Sequence, residues 1–367
     1  MRLLQCLTHA SLGGGQEVVF TLVRLLLEIR PEWTVAVSLP PDGPYVQRFR
    51  DLGVEVHSGP WNRLSPAGLL DYHRHVLKFR PDVVHSHGKG AGVYARFLRD
   101  RCRHVHSYHG FHPPLGRVAG DLYRRLEVTL LRNTQAVVAV SEAEADELRT
   151  AFARSRTRIF AIPNVIDPGG VQKRAGHRLP ERVLEFLHRV PHTLVVTMIA
   201  RADPAKDYPL ALAAAEIALA REPRLSFAFV GPGETAEIMR LKEKFPGRIF
   251  TSAPFAPVAG LIAASAVVLL TSKKEGGRPL VIQEAFALGK PVVATDVPGI
   301  RETVEAGVNG FLCAPNPESI ADRIVQLVTS PDLLRKCGAN ALKTAQKSSV
   351  RAWAEQYTRV YELYTVD

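Results

Sequence analysis

The sequence predicts an α/β protein made of two parallel-sheet units facing a cleft, with a last helix packing back on the fold. Short apolar runs alternate with helix-periodic stretches along the whole of the 367-residue chain. That alternation marks parallel sheets covered on both faces. It is interrupted by "RIFAIPNVIDPGGVQKRAGHRLPER", residues 158–182, where Pro, Gly and mixed charge break the pattern. The length suits two domains, each with its own core.

Taken in order, "RLLQCLTH" reads as the first strand and "EVVFTLVRLLLEIR" as the first helix, with "SLGGGQ" between them. "WTVAVSLP", "VEVHSG", "DVVHSHG", "HVHSYHG" and "QAVVAVSE" continue the strands of a first unit, residues 1–165. Residues 166–191 read as a linker. "TLVVTMIAR", "LSFAFVGPG", "RIFTSAP", "AVVLLTS", "PVVATD" and "GFLCAP" supply a second sheet within residues 192–345. The closing segment, 346–367, sets Trp353, Tyr357, Val360 and Tyr364 on one helical stripe that reads as core packing.

Composition narrows the class. With 46% hydrophobic and 23% charged residues the chain is ordinarily globular. No apolar run reaches the roughly 18 residues of a membrane span, and the N-terminus lacks a signal-peptide hydrophobic region, so a cytoplasmic protein is expected. Cys6, Cys102, Cys313 and Cys337 are scattered, as reduced thiols would be, and form no zinc pattern. The net charge is +11. Residues 1–165 hold 22 Lys and Arg against 15 Asp and Glu, and the remainder 25 against 21. A basic first half suits phosphorylated ligands, an anionic membrane surface or nucleic acid, and genome composition alone produces part of such a bias. The leucines Leu122, Leu126 and Leu130 lie on one stripe, with Arg117, Arg124, Arg125 and Arg132 elsewhere on the surface, which favours the inner face of a membrane; leucines facing the core beside solvated arginines are the alternative.

Several stretches carry chemistry. In "SLGGGQE", glycines including Gly14 and Gly15 let backbone approach an anion at a helix start, although a plain tight turn reads equally well. "MIARADPAKDYPL" places Arg201 and Lys206 just after a strand, where they could grip a diphosphate or simply be solvated. "SKKEGGRPLVIQEAFALGKPVVATD" sets Glu275 and Glu284 on either side of Gly277-Arg278-Pro279-Leu280, at the mouth of a helix. Pro279 suits the first turn, the helix dipole favours phosphate, and carboxylates accept from sugar hydroxyls. Six histidines lie between His85 and His112, but no cysteine or carboxylate pattern joins them into a metal site.

The last of these stretches resembles the donor-site signature of retaining, GT-B-fold glycosyltransferases of the family 4 (group 1) type, matching from Gly277 to Thr295 almost throughout. "HVHSYHGFH", "VSEAEADEL", "AIPNVID", "ARADPAKD" and "FVGPGE" are similar to further segments of that family, in the same order. The resemblance implies two Rossmann-like domains and transfer of a sugar from a nucleoside diphosphate sugar, UDP first and GDP next, to a glycan or lipid-linked acceptor. It implies that Gly14 and Gly15 meet the diphosphate and that His109 stands by the transferred sugar. Arg201 and Lys206 would hold the diphosphate, Gly231 and Gly233 would border the nucleotide, and Glu284 would bind the ribose. Glu275 with the Gly277–Leu280 backbone would orient the sugar. No metal or other cofactor and no nucleic-acid partner is implied. Rival readings are a nucleotide-sugar 2-epimerase of the same architecture and a basic nucleic-acid-binding protein. One departure concerns Glu275. Eight residues separate it from Glu284 where the family has seven, so the aligned position falls on Gly276.

Overall fold

A computed structural model describes residues 1–61, 65–97, 102–111, 116–190 and 193–364. The chain forms two compact units. Met1–Asn164 and Val350–Asp367 make the first, and Val165–Ser349 the second.

The first unit is built on seven strands, β1 (Arg2–Leu7), β2 (Thr34–Leu39), β3 (Glu55–Ser58), β4 (Val83–His87), β5 (Arg103–Ser107), β6 (Ala136–Ala139) and β7 (Arg158–Ala161). They lie in the order β3-β2-β1-β4-β5-β6-β7, with every neighbouring pair parallel. The near-continuous apolar strands are what a doubly covered sheet requires. Leu3, Leu4, Val83 and Val84 are fully buried, and the helix Gly14–Ile29 lays Val18, Val19, Leu22, Val23 and Leu26 on the same core. Each such side chain contributes about 1.5–3 kcal/mol relative to leaving it in water.

The second unit carries β8 (Leu194–Ile199), β9 (Leu225–Val230), β10 (Ile249–Ser252), β11 (Val267–Leu270), β12 (Val292–Thr295) and β13 (Gly310–Cys313). Their order is β10-β9-β8-β11-β12-β13, again wholly parallel. In each sheet the strand order reverses at one place, between β1 and β4 and between β8 and β11. Ligands of open α/β sheets bind outside the carboxyl ends of the strands at such a reversal.

Of residues 166–191, expected as a linker, those described are largely helical. Pro168–Ala175 starts on Asp167, whose side chain accepts from the Gly170 amide, and Glu181–Arg189 follows. Val171 and Val183 are fully buried in cores of the second unit. The Asp-Pro pair that reads as loop punctuation is a helix start: a capping carboxylate followed by proline at the first position. The chain returns to the first unit through the helix Val350–Glu362, which buries Trp353, Tyr357, Val360 and Tyr361. Tyr361 thus takes the buried place expected of Tyr364, which is only partly buried. The stripe advances three to four residues per turn, and 357 to 361 completes it.

On the helix Arg117–Leu131 the expected leucine stripe splits. Leu130 is buried, whereas Leu122 is 68% exposed and Leu126 39%, with Val118 and Val128 also in solvent. No helix among the described residues is long and apolar enough to cross a membrane. All four cysteines are free thiols.

Candidate functional site

In the second unit, the ends of β8 and β9 are drawn together by Tyr208. Its hydroxyl donates to the Ala200 carbonyl at 2.7 Å and lies 3.1 Å from that of Val230. Gly231 makes the approach possible. Its φ is 130°, and a Cβ there would stand 1.7 Å from the Ala200 oxygen. Gly233, at φ 68°, opens beside it onto free space. Arg201 leaves this junction with its side chain 69% exposed, 3.8 Å from Asp203. Asp203 caps the short turn Pro204–Lys206 by accepting from the Ala205 amide.

The loop after β11 is laced to that turn. Thr271 donates to the Lys206 carbonyl at 2.9 Å, and the Lys273 amide donates to the Ala205 carbonyl at 2.8 Å. The result brings the Lys206 ammonium onto the Glu275 carboxylate, which also accepts from Ser272 Oγ at 2.6 Å. The structure therefore joins Lys206 to Glu275 despite the extra residue before Glu284. Gly299 packs under the same loop, since a Cβ on it would lie 2.5 Å from the Gly277 carbonyl.

Pro279 stands just ahead of the helix Leu280–Ala287, in extended conformation, rather than inside its first turn. It offers no side-chain cap, so the first-turn amides of that helix lack one. Glu284 lies in the second turn of the helix and meets Arg174 at 3.6 Å. Arg278 lies 3.5 Å from Glu302. Cations, glycine turns and an uncapped helix start suit a phosphate ligand, and two carboxylates beside them suit hydroxyl groups.

In the first unit, Gly14 and Gly15 form the opening turn of the helix after β1, and the space beside Gly15 is open. Thr8 ties the end of β1 to β4, donating to the His87 carbonyl at 3.1 Å. His109 follows β5 with a left-handed φ of 54°, uncommon for a residue with a side chain. Two contacts hold it there. The Gly110 amide donates to Glu144 at 2.6 Å, and His109 Nε2 lies 2.9 Å from His87 Nδ1. His87 reaches Gln5 through Nε2 at 2.7 Å.

Burial sets the charge states here. It lowers His109 to about 4. It holds His85 and His87 well below the ordinary histidine value, with neighbouring histidines adding to the effect. Glu144 is pushed up to about 7 by burial, against the pull of the Val140 and Gly110 amides. Among the described residues no three His, Cys, Asp or Glu side chains gather as ligands for one ion; His112 lies outside the described residues.

Three contributors were not singled out by sequence reasoning. Ser272 and Arg174 gave no signal beyond their neighbours. Glu144 did: Ser-x-x-Glu marks a helix start, and the Ser141 side chain accepts from the Glu144 amide at 3.0 Å while the Glu144 carboxylate accepts from the Val140 amide at 2.7 Å. Its carboxylate reaches on to the loop that carries His109.

Two family profiles match the chain. "Glycosyltransferase Family 4" covers residues 12–169 and "Glycosyl transferases group 1" residues 193–330. Among curated relatives, EpsD of Bacillus subtilis (strain 168) is 26% identical, over 88% of this chain and 92% of that protein. A D-inositol 3-phosphate glycosyltransferase of Corynebacterium glutamicum (strain R) is 24% identical, over 88% of this chain and 84% of its own. Among solved structures, Anabaena HepE in complex with UDP and glucose superposes with a TM-score of 0.79 at 22% identity, covering 99% of both chains. At that identity the likeness establishes a shared fold, the two-domain GT-B architecture.

Proposed function

The chain belongs to the group 1, family 4 glycosyltransferases, and from that membership we propose that it moves a hexose from a nucleoside diphosphate sugar to a hydroxyl, with retention at the anomeric carbon. The observation that carries the reading is the Lys206–Glu275 contact at the reversal of the second sheet. A cation fit for diphosphate stands beside a carboxylate fit for the sugar it bears.

In this reading Arg201 and Lys206 hold the diphosphate and stabilise the charge that grows on it as the glycosidic bond breaks. Gly231 and Gly233 border the nucleotide and Glu284 accepts from its ribose. Glu275 and the Gly277–Leu280 backbone, with Arg278 and Pro279, orient the sugar. From the first unit, Gly14 and Gly15 approach the diphosphate and His109 the transferred sugar. The bond between the anomeric carbon and the diphosphate oxygen breaks, and its electron pair leaves with the diphosphate. The acceptor oxygen attacks the same face, and its proton passes to the departing phosphate. The two cations and the helix start supply the positive charge, so no metal or other cofactor is required.

UDP is the preferred nucleotide, with GDP next; the complex of HepE with UDP supports that order. The acceptor is a glycan or lipid-linked saccharide in cell-surface polysaccharide synthesis, reached from the cytoplasm. The exposed Val118, Leu122 and Leu126, with Arg124 and Arg125 on the same helix, favour a peripheral position on the inner membrane. A thermal-shift screen with UDP, GDP, ADP and dTDP tests the donor. A nucleotide at 100 times its dissociation constant should add about 2.7 kcal/mol of stability. No shift with any of the four would overturn the reading.

A further inference from the structure

The first unit contains a chain of buried hydrogen bonds that ends on His109. Ser107 Oγ lies 3.0 Å from His85 Nε2, and His85 Nδ1 lies 2.7 Å from the Tyr361 hydroxyl. Gln5 Nε2 donates to that hydroxyl at 3.2 Å, while Gln5 Oε1 lies 2.7 Å from His87 Nε2. His87 Nδ1 then meets His109 Nε2 at 2.9 Å. All of these side chains except His109 belong to strands β1, β4 and β5 or to the helix Val350–Glu362.

The direction of each bond follows from the chemistry of the groups. An amide oxygen only accepts, so His87 must carry its proton on Nε2. A neutral imidazole has one N–H, which leaves His87 Nδ1 an acceptor. His109 must therefore donate from Nε2, and its own Nδ1 is left with a lone pair. On the other side, the Tyr361 hydroxyl accepts from Gln5 and donates to His85, which donates in turn to Ser107. Burial keeps these rings neutral at pH 7. Among the described residues, His109 Nδ1 meets no hydrogen-bond partner.

We propose that His87 is a positioning residue. Held by Gln5, and through it by Tyr361, it fixes the proton of His109 on Nε2 and leaves Nδ1 as a bare acceptor for a hydroxyl of the ligand. This rests on the reading of His109 given above. A single turn of the Gln5 amide would reverse every bond in the chain and make His109 Nδ1 a donor, which is the outcome the experiment below sets against this one.

The test is 15N NMR of the full-length protein labelled at histidine, at pH 7 and without ligand, because protonated and bare ring nitrogens resonate far apart. Wild-type His109 should show one tautomer, protonated at Nε2. Two variants should convert it to a mixture: His87→Phe, which removes the acceptor, and Tyr361→Phe, which frees the Gln5 amide two bonds away. Either should lower kcat/KM, for the glucose conjugate of the nucleotide selected by the thermal-shift screen, by roughly tenfold, the worth of one hydrogen bond. If His87→Phe fails to fold, Tyr361→Phe carries the test. A wild-type His109 protonated at Nδ1, or a single unchanged tautomer in the folded variants, overturns the proposal. Full activity in His109→Ala would instead remove the role of His109 while leaving the tautomer result standing.

Discussion

Lys206 and Glu275 are ion-paired across the loops that follow β8 and β11, and Ser272 donates to the same carboxylate oxygen. Both charged side chains are largely shielded from solvent, whereas Arg201 on the same turn is mostly exposed. The pair therefore has an internal partner before any ligand arrives, and Arg201 has only a distant one.

Lys206→Ala and Arg201→Ala should each lower kcat for sugar transfer by about 100- to 1000-fold, since the lost charge matters most in the transition state. Arg201→Ala should leave stability nearly unchanged, because the side chain lies in water. Steady-state kinetics with both variants decides it. Near wild-type turnover in both would remove the diphosphate role.

The two glutamates should separate binding from transfer. Glu284→Ala should weaken UDP itself by roughly tenfold, the loss of one charged hydrogen bond. Glu275→Ala should leave free UDP binding intact and reduce transfer alone. Calorimetric titration beside a transfer assay reads both, and an inert Glu275→Ala would show that the extra loop residue has retired that position.

Gly231→Ala should destabilise the second unit by roughly 1–3 kcal/mol through backbone strain. Its methyl group must also displace the Ala200 carbonyl, and with it the base of Arg201. Urea unfolding measures the loss, and an unshifted midpoint would contradict the close approach of β8 and β9.

Stability should fall as pH drops from 7 to 5. His75 and His109 are lowered to about 4, and His85, His87 and His106 lie well below the ordinary value, all chiefly by burial. The unfolded chain takes up protons near 6.5 that the folded chain refuses, so each group removes up to about 1.4 kcal/mol per pH unit below that point. Glu144, raised to about 7, acts in the opposite sense between about 4.5 and 7. Five groups outweigh one. Chemical unfolding at a series of pH values checks this, and Glu144→Gln should steepen the fall.

Vesicles containing anionic lipid should sediment the protein and neutral ones should not. Salt should weaken the binding, because each arginine near the surface contributes about 1 kcal/mol that ions screen. Leu122→Ser should reduce it, as should glutamate in place of Arg124 and Arg125. Equal recovery in the supernatant with both kinds of vesicle at low salt would dismiss the membrane.

The sheets, their parallel sense, the loop bearing Arg201 and Lys206 and the helix bearing Glu284 were legible because strand alternation, strand-end loops and helix starts are local signals. Glu275 was ambiguous by one residue, since spacing along a chain does not say whether a loop bulges; the structure sets it against Lys206, and the Glu275→Ala variant tests its role. The helix start at Glu144 was legible, but its reach to the His109 loop was not, nor was Tyr361 as a contributor. Glu144 reaches Gly110 across 34 residues and Tyr361 reaches Gln5 across 356. Such partners are set by tertiary packing, which no local pattern reports. The helix at Pro168 was missed for the opposite reason, because its local signal has two readings and composition favoured the wrong one.

That last span of 356 residues bears on the order in which the molecule is made. Residues of β1 leave the ribosome long before the helix that covers Gln5 and His85. The second unit, contiguous from Val165 to Ser349, is fully synthesised before its neighbour can be completed. During translation the buried polar groups of the first sheet must wait, still hydrated, for Tyr361. A nascent chain halted before residue 350 would hold one finished unit and one with an unsealed core.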